Sequence, residues 1–79
     1  MREATEKTLE QVFRAVFQLS DEVDVRAIGQ GTHQSWDSLA HVSLVAAIES
    51  EFNLSIDITD SLSLTSYEAF GLFLEEQGL

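Results

Sequence analysis

The chain has 79 residues, with four Lys and Arg against fourteen Asp and Glu and a formal net charge of −10. That length holds one domain spanning residues 1–79. The acidity excludes nucleic acid and anionic membranes as partners and favours basic patches on other proteins. With no cysteine, the chain has no disulfide framework, no thiolate metal site and no thiol nucleophile of its own.

A hydrophobic fraction of 44% is ordinary for a folded chain and too high for an acidic disordered tail. No apolar run reaches the roughly 18 residues of a membrane span. Met1-Arg2-Glu3-Ala4-Thr5 lacks the features of a secretory signal, so the expected address is cytoplasmic.

From Thr5 to Leu19, the apolar positions Leu9, Val12, Phe13, Val16 and Phe17 recur at helical spacing and predict a first helix with one core stripe. Between Ser20 and Ser35 no period is sustained. This reads as a long, ordered loop pinned by Val23, Val25 and Ile28. A second helix is expected from about Ser38 to Phe52, with Asp37 as its N-cap and Asn53 as a left-handed stop.

Residues 55–64 are irregular, with Ile56, Ile58, Leu62 and Leu64 anchoring one short helical turn. Thr65-Ser66-Tyr67-Glu68 reads as a capping box, Thr65 bonding forward and Glu68 back. It opens a last helix through Glu76, with Phe70, Phe73 and Leu74 inward and Gly78 past its end. The alternation at Leu54-Ser55-Ile56-Asp57-Ile58 has no partner strand. The fold class is therefore all-α: a small four-helix bundle with three main helices, a short third helix and a long first loop.

The second helix has more apolar surface than one core face needs. Leu44, Val45, Ile48 and Phe52 share one third of the helix. Leu39, Val42 and Ala46 fall on roughly the opposite side, beside Ser38 and flanked by Glu49. Either neighbouring loops cover this strip or it is a docking surface. Serine at a first helical turn is commonly only a cap. A phosphate on Ser38 would nevertheless meet free backbone amides and the positive end of the helix dipole.

Trp36-Asp37-Ser38-Leu39, followed by Val42, Leu44, Val45, Ile48-Glu49, Glu51-Phe52 and Ile56, resembles the acyl carrier protein family over nearly the whole chain. The resemblance implies that Ser38 is esterified with 4′-phosphopantetheine, taken from coenzyme A by a phosphopantetheinyl transferase. The arm's thiol would carry acyl groups as thioesters, as in fatty acid or polyketide biosynthesis, and make this a phosphoprotein. Asp37 would cap the helix and help position the transferase's magnesium ion. Leu39, Val42, Ala46 and Glu49 would be read by acyl-transferring or acyl-modifying enzymes with basic docking patches, the carrier itself being a monomer and not an enzyme.

Where bulk fatty-acid members usually carry acids, this chain has Ala40 and Ser43, which favours a specialised member with dedicated partners. Trp36 is expected to anchor the loop on the bundle. Phe13, Phe17, Phe70 and Phe73 would fill the space in which the family shelters acyl chains, so a short, polar or external cargo is expected.

Asp37, Ser38 and His41 contain the residue types of a hydrolase triad, but no nucleophile elbow or oxyanion hole accompanies them. His41 is better read as a boundary histidine with one satisfied nitrogen. A calcium loop starting at Asp21 would place Val23 and Val25 at ligand positions, and no resident metal is expected. The remaining alternatives are an aminoacyl or peptidyl carrier and an unmodified protein-interaction module of the same fold.

Overall fold

The computed structural model describes residues 2–79. These form four helices, α1 (Glu3–Phe17), α2 (Ser38–Phe52), α3 (Ile58–Ser63) and α4 (Tyr67–Glu76), with a 3-10 turn at Val25–Ala27. Among the described residues there is no strand, only an isolated antiparallel bridge between Gly29 and Ser66. None of the described helices is long and apolar enough to cross a membrane.

The first helix lies two residues earlier than its apolar stripe suggests. It begins at Glu3, with Thr5 buried in its first turn. Gln18 then takes a left-handed conformation (φ 54°), ending the helix before Leu19. Leu19 N–H bonds back to the Arg14 carbonyl at 2.9 Å, satisfying an acceptor that the last turn leaves open.

The long loop is ordered by specific contacts. Arg14 donates to the carbonyls of Ser20 and Val23 while pairing with Glu10 at 3.0 Å. Asp24 caps the 3-10 turn, and Val25 and Ile28 are buried as pegs. Beyond them, Gln30 N–H donates to the Thr65 carbonyl (2.8 Å) and Tyr67 N–H to the Ile28 carbonyl (3.1 Å), stitching the loop to the start of α4. Trp36, only 3% exposed, closes the loop against the bundle as expected.

At the centre stands Phe13, fully buried. Its ring centroid lies 5.0 Å from Tyr67, 5.6 Å from both Trp36 and Phe70, and 5.9 Å from Phe17. Three of these contacts are edge-to-face, the arrangement favoured by the ring quadrupoles. Leu9, Leu44, Ile48 and Leu74 complete the fully buried core, joining α1, α2 and α4. Phe17 also meets the His33 ring edge-on at 5.4 Å, and His33 Nε2 is buried there without a hydrogen-bond partner among the described residues.

Two expectations are corrected. The cap of α4 is Ser66, whose Oγ accepts from Ala69 N–H at 3.0 Å, so the Thr65–Glu68 box does not form. The bridge explains the shift: with the Thr65 carbonyl held by Gln30 and the Tyr67 N–H by Ile28, Ser66 stays extended and the helix begins one residue later. Around α3, Ile56 and Leu64 are buried anchors, but Ile58 and Leu62 are 78% and 74% exposed. Being four residues apart, they share one face of a short helix held down at both ends, and that face is turned outward.

Replacing Ser66 by alanine should cost about 1 kcal/mol, the usual worth of an N-cap. Thr65→Ala should change stability by less than about 0.5 kcal/mol. Urea melts of the two variants provide the comparison, and equal losses would return the cap to Thr65.

Tyr67, the chain's one tyrosine, has a phenol held above its usual range, chiefly by burial and further by the charges of Glu6 and Glu10. A phenol whose pKa is higher folded than unfolded stabilises the fold below the ordinary value of about 10. That contribution is lost as pH rises through the folded value. Alkaline titration of phenolate absorbance should therefore show a midpoint above that of free tyrosine, with the Tm falling across the same range. A midpoint at or below the free value would contradict the burial.

Candidate functional site at the start of the second helix

The boundaries of α2 follow from local chemistry. Asp37 is extended, and its Oδ1 accepts from Ala40 N–H at 2.8 Å, satisfying one of the donors left open by a helix start. At the other end, Asn53 is left-handed (φ 53°), and its N–H and that of Leu54 return to the Glu49 carbonyl. Ser38 is the first helical residue and is exposed, and its hydroxyl makes no hydrogen bond among the described residues.

Leu44 and Ile48 are fully buried, with Val45 and Phe52 half-buried beside them. On the other side, Leu39 is 76% and Val42 65% exposed, and Ala46 is exposed further along. Neighbouring loops do not cover the strip. It remains open at the N-terminal half of α2, next to the Ser38 hydroxyl.

Glu49 is half-buried, and its Oε2 accepts from Ile56 N–H at 2.8 Å. This carboxylate holds the chain entering α3, so it serves the fold as well as the acidic flank of the strip.

His41 has more partners than its expected single one. Trp36 Nε1–H lies 3.1 Å from His41 Nδ1, and His41 Nε2 lies 2.9 Å from the Ser61 carbonyl. An indole nitrogen only donates and a carbonyl only accepts. These partners require Nδ1 unprotonated and the hydrogen on Nε2, and both ring nitrogens are thereby engaged. Neither is aimed at Ser38, and the Asp37 carboxylate is turned to Ala40, so the three do not assemble as a triad.

The same hydrogen bond ties α3 to α2. On α3, Ile58 and Leu62 form a further exposed apolar pair. Sequence reasoning missed the exposure of this pair. The available signal was the four-residue spacing of Ile58 and Leu62 behind the capping residue Asp57.

Among the described residues, no group of three or more His, Cys, Asp or Glu side chains converges as a metal site. No protein-family model, curated protein or solved structure matches the chain.

His41→Phe keeps a ring in place but removes both hydrogen bonds and strands the buried Trp36 N–H. A loss of about 1–3 kcal/mol is expected for an unsatisfied buried donor. Emission from Trp36, the chain's one tryptophan, should change with it. Unchanged emission and an unchanged denaturation midpoint would mean that the indole–imidazole bond holds nothing together.

Proposed function

We propose that this chain is an acyl carrier protein that presents acyl intermediates, held as thioesters on a 4′-phosphopantetheine arm at Ser38, to successive partner enzymes. The observation that carries the reading is the joint exposure of the Ser38 hydroxyl and the adjoining Leu39, Val42 and Ala46 strip on a helix whose other face is core. When attached, the arm supplies the thiol that a chain without cysteine lacks.

The residues present fit such a group. The Ser38 oxygen is open to a modifying enzyme, and the amide donors of the first helical turn face a phosphodiester there favourably. Asp37 fixes where that turn begins by holding Ala40 N–H. His41 fixes α2 against Trp36 and α3, so partners meet a preformed surface.

Leu39 and Val42 provide the apolar contact, and the net charge of −10 steers basic partners toward it. The chain acts as a cytoplasmic monomer and performs no chemistry itself. Its partners are a phosphopantetheinyl transferase and acyl-transferring or acyl-modifying enzymes. Because Phe13, Phe70, Leu44 and Ile48 fill the space between α1, α2 and α4, the cargo is short or polar, or it stays outside the bundle.

Incubation with a phosphopantetheinyl transferase, magnesium and coenzyme A should add the mass of one phosphopantetheine to the intact chain and none to Ser38→Ala. Val42→Asp should keep the helical circular dichroism while slowing modification. Failure of several transferases to modify the folded wild-type chain would reject carriage and leave an unmodified interaction module.

A further inference from the structure

His41 joins two elements through one ring. Its Nδ1 accepts from the Trp36 indole N–H at 3.1 Å, and its Nε2 lies 2.9 Å from the Ser61 carbonyl and 3.2 Å from the Ser61 Oγ. The indole only donates and the carbonyl only accepts, so the two ends of the ring respond differently to a proton. A proton taken from solvent enters at Nδ1, because Nε2 already carries its hydrogen. Nδ1 then presents a donor to the indole donor, while Nε2–H keeps the Ser61 carbonyl.

The indole has little to replace this acceptor. Trp36 is 3% exposed, and its ring lies 5.6 Å from Phe13 and 5.3 Å from Phe17, both apolar. A buried donor without a partner is unfavourable. The imidazole and indole rings are stacked at 6.0 Å, close enough for a charged imidazole to attract the indole face. The ring can thus stay docked while its N–H is released.

The charged side chains on the elements touching His41 do not oppose the proton. On α2 and its cap, Asp37 holds Ala40 N–H, Glu49 holds Ile56 N–H and Glu51 is exposed. On α3 and its cap, Asp57 holds Asp60 N–H and Asp60 is exposed. In the loop, Asp21 and Glu22 are exposed, Asp24 caps the 3-10 turn and Arg26 pairs with Glu6. Arg26 aside, each of these is a carboxylate.

We propose that His41 is a proton-operated latch: neutral, it ties the Trp36 end of the long loop to α2 and α3; protonated, it releases the indole N–H and loosens residues 33–37 while keeping α3. Histidine is the side chain that ordinarily changes charge between about pH 5 and 8, so the latch works in that range. The loosened segment leads into the Asp37 cap of α2. The proposal concerns the fold alone and does not depend on the modification of Ser38.

The test is an NMR titration of the full chain, labelled with ¹³C and ¹⁵N, from about pH 8 down to pH 5. At the upper end, His41 Nδ1 should resonate as an unprotonated nitrogen. On acidification, the Trp36 indole N–H signal should move upfield in one step together with the His41 ring signals. Residues 33–37 should lose amide protection, and the Ser61 and Leu62 amides should barely move. His33 is the competing source of such a step, since its Nε2 is buried without a partner among the described residues and its ring meets Phe17. His41→Gln, which does not titrate, should abolish the indole step, and His33→Gln should keep it.

The latch is overturned if Nδ1 is protonated at the upper end or if the indole signal does not follow the His41 ring. It is equally overturned if the step survives in His41→Gln, vanishes in His33→Gln, or is led by the α3 amides. Should either variant fail to fold, the wild-type ring-nitrogen and indole signals decide by themselves.

Discussion

Phe13 touches nearly everything that gives this chain a shape. Its ring packs against Phe17 on its own helix, Trp36 at the end of the long loop, and Tyr67 and Phe70 on α4. A chain this small buries only about 60% of its unfolded surface, so large rings sharing one centre contribute much of the available apolar burial. The cluster also has a geometric consequence: the loop must return to the bundle at Trp36, one residue before the cap of α2. Where the second helix starts is thus tied to the core through a tryptophan.

The ordering of the long loop follows from that tie. A connection such as residues 18–37, with one 3-10 turn as its regular structure, would ordinarily carry many unsatisfied backbone groups. Here the Arg14 guanidinium takes two carbonyls, Asp24 caps a 3-10 turn, and the start of α4 exchanges two backbone hydrogen bonds with the segment around Gly29. The imidazole of His41 joins the loop to α2 and α3 through one donor and one acceptor. With the loop held by these bonds, Leu39 and Val42 stay exposed.

Charge and apolar exposure are arranged together on this surface. Four lysines and arginines cannot neutralise fourteen carboxylates, and two of the arginines are engaged in ion pairs with Glu10 and Glu6. The exposed leucines, valine and isoleucine therefore sit in a largely negative field. Such a surface resists self-association through repulsion while attracting basic partners from a distance.

Much of this architecture is legible in the sequence because it is decided within one or two helical turns. The bounds of α2, the Asp37 cap, the left-handed Asn53 and the excess apolar face of that helix all follow from neighbouring residue types. The inward phenylalanines of α4 follow in the same way. Only the tertiary structure decided the rest, since it depends on residues far apart in the chain. The α4 cap moved from Thr65 to Ser66 because Gln30, thirty-five positions earlier, holds the Thr65 carbonyl. Ile58 and Leu62 point outward because Ile56 and Leu64 take the buried places, and His41 is satisfied twice because Ser61 arrives beside it. Local spacing specifies which faces a helix has; long-range packing specifies which of them meets water.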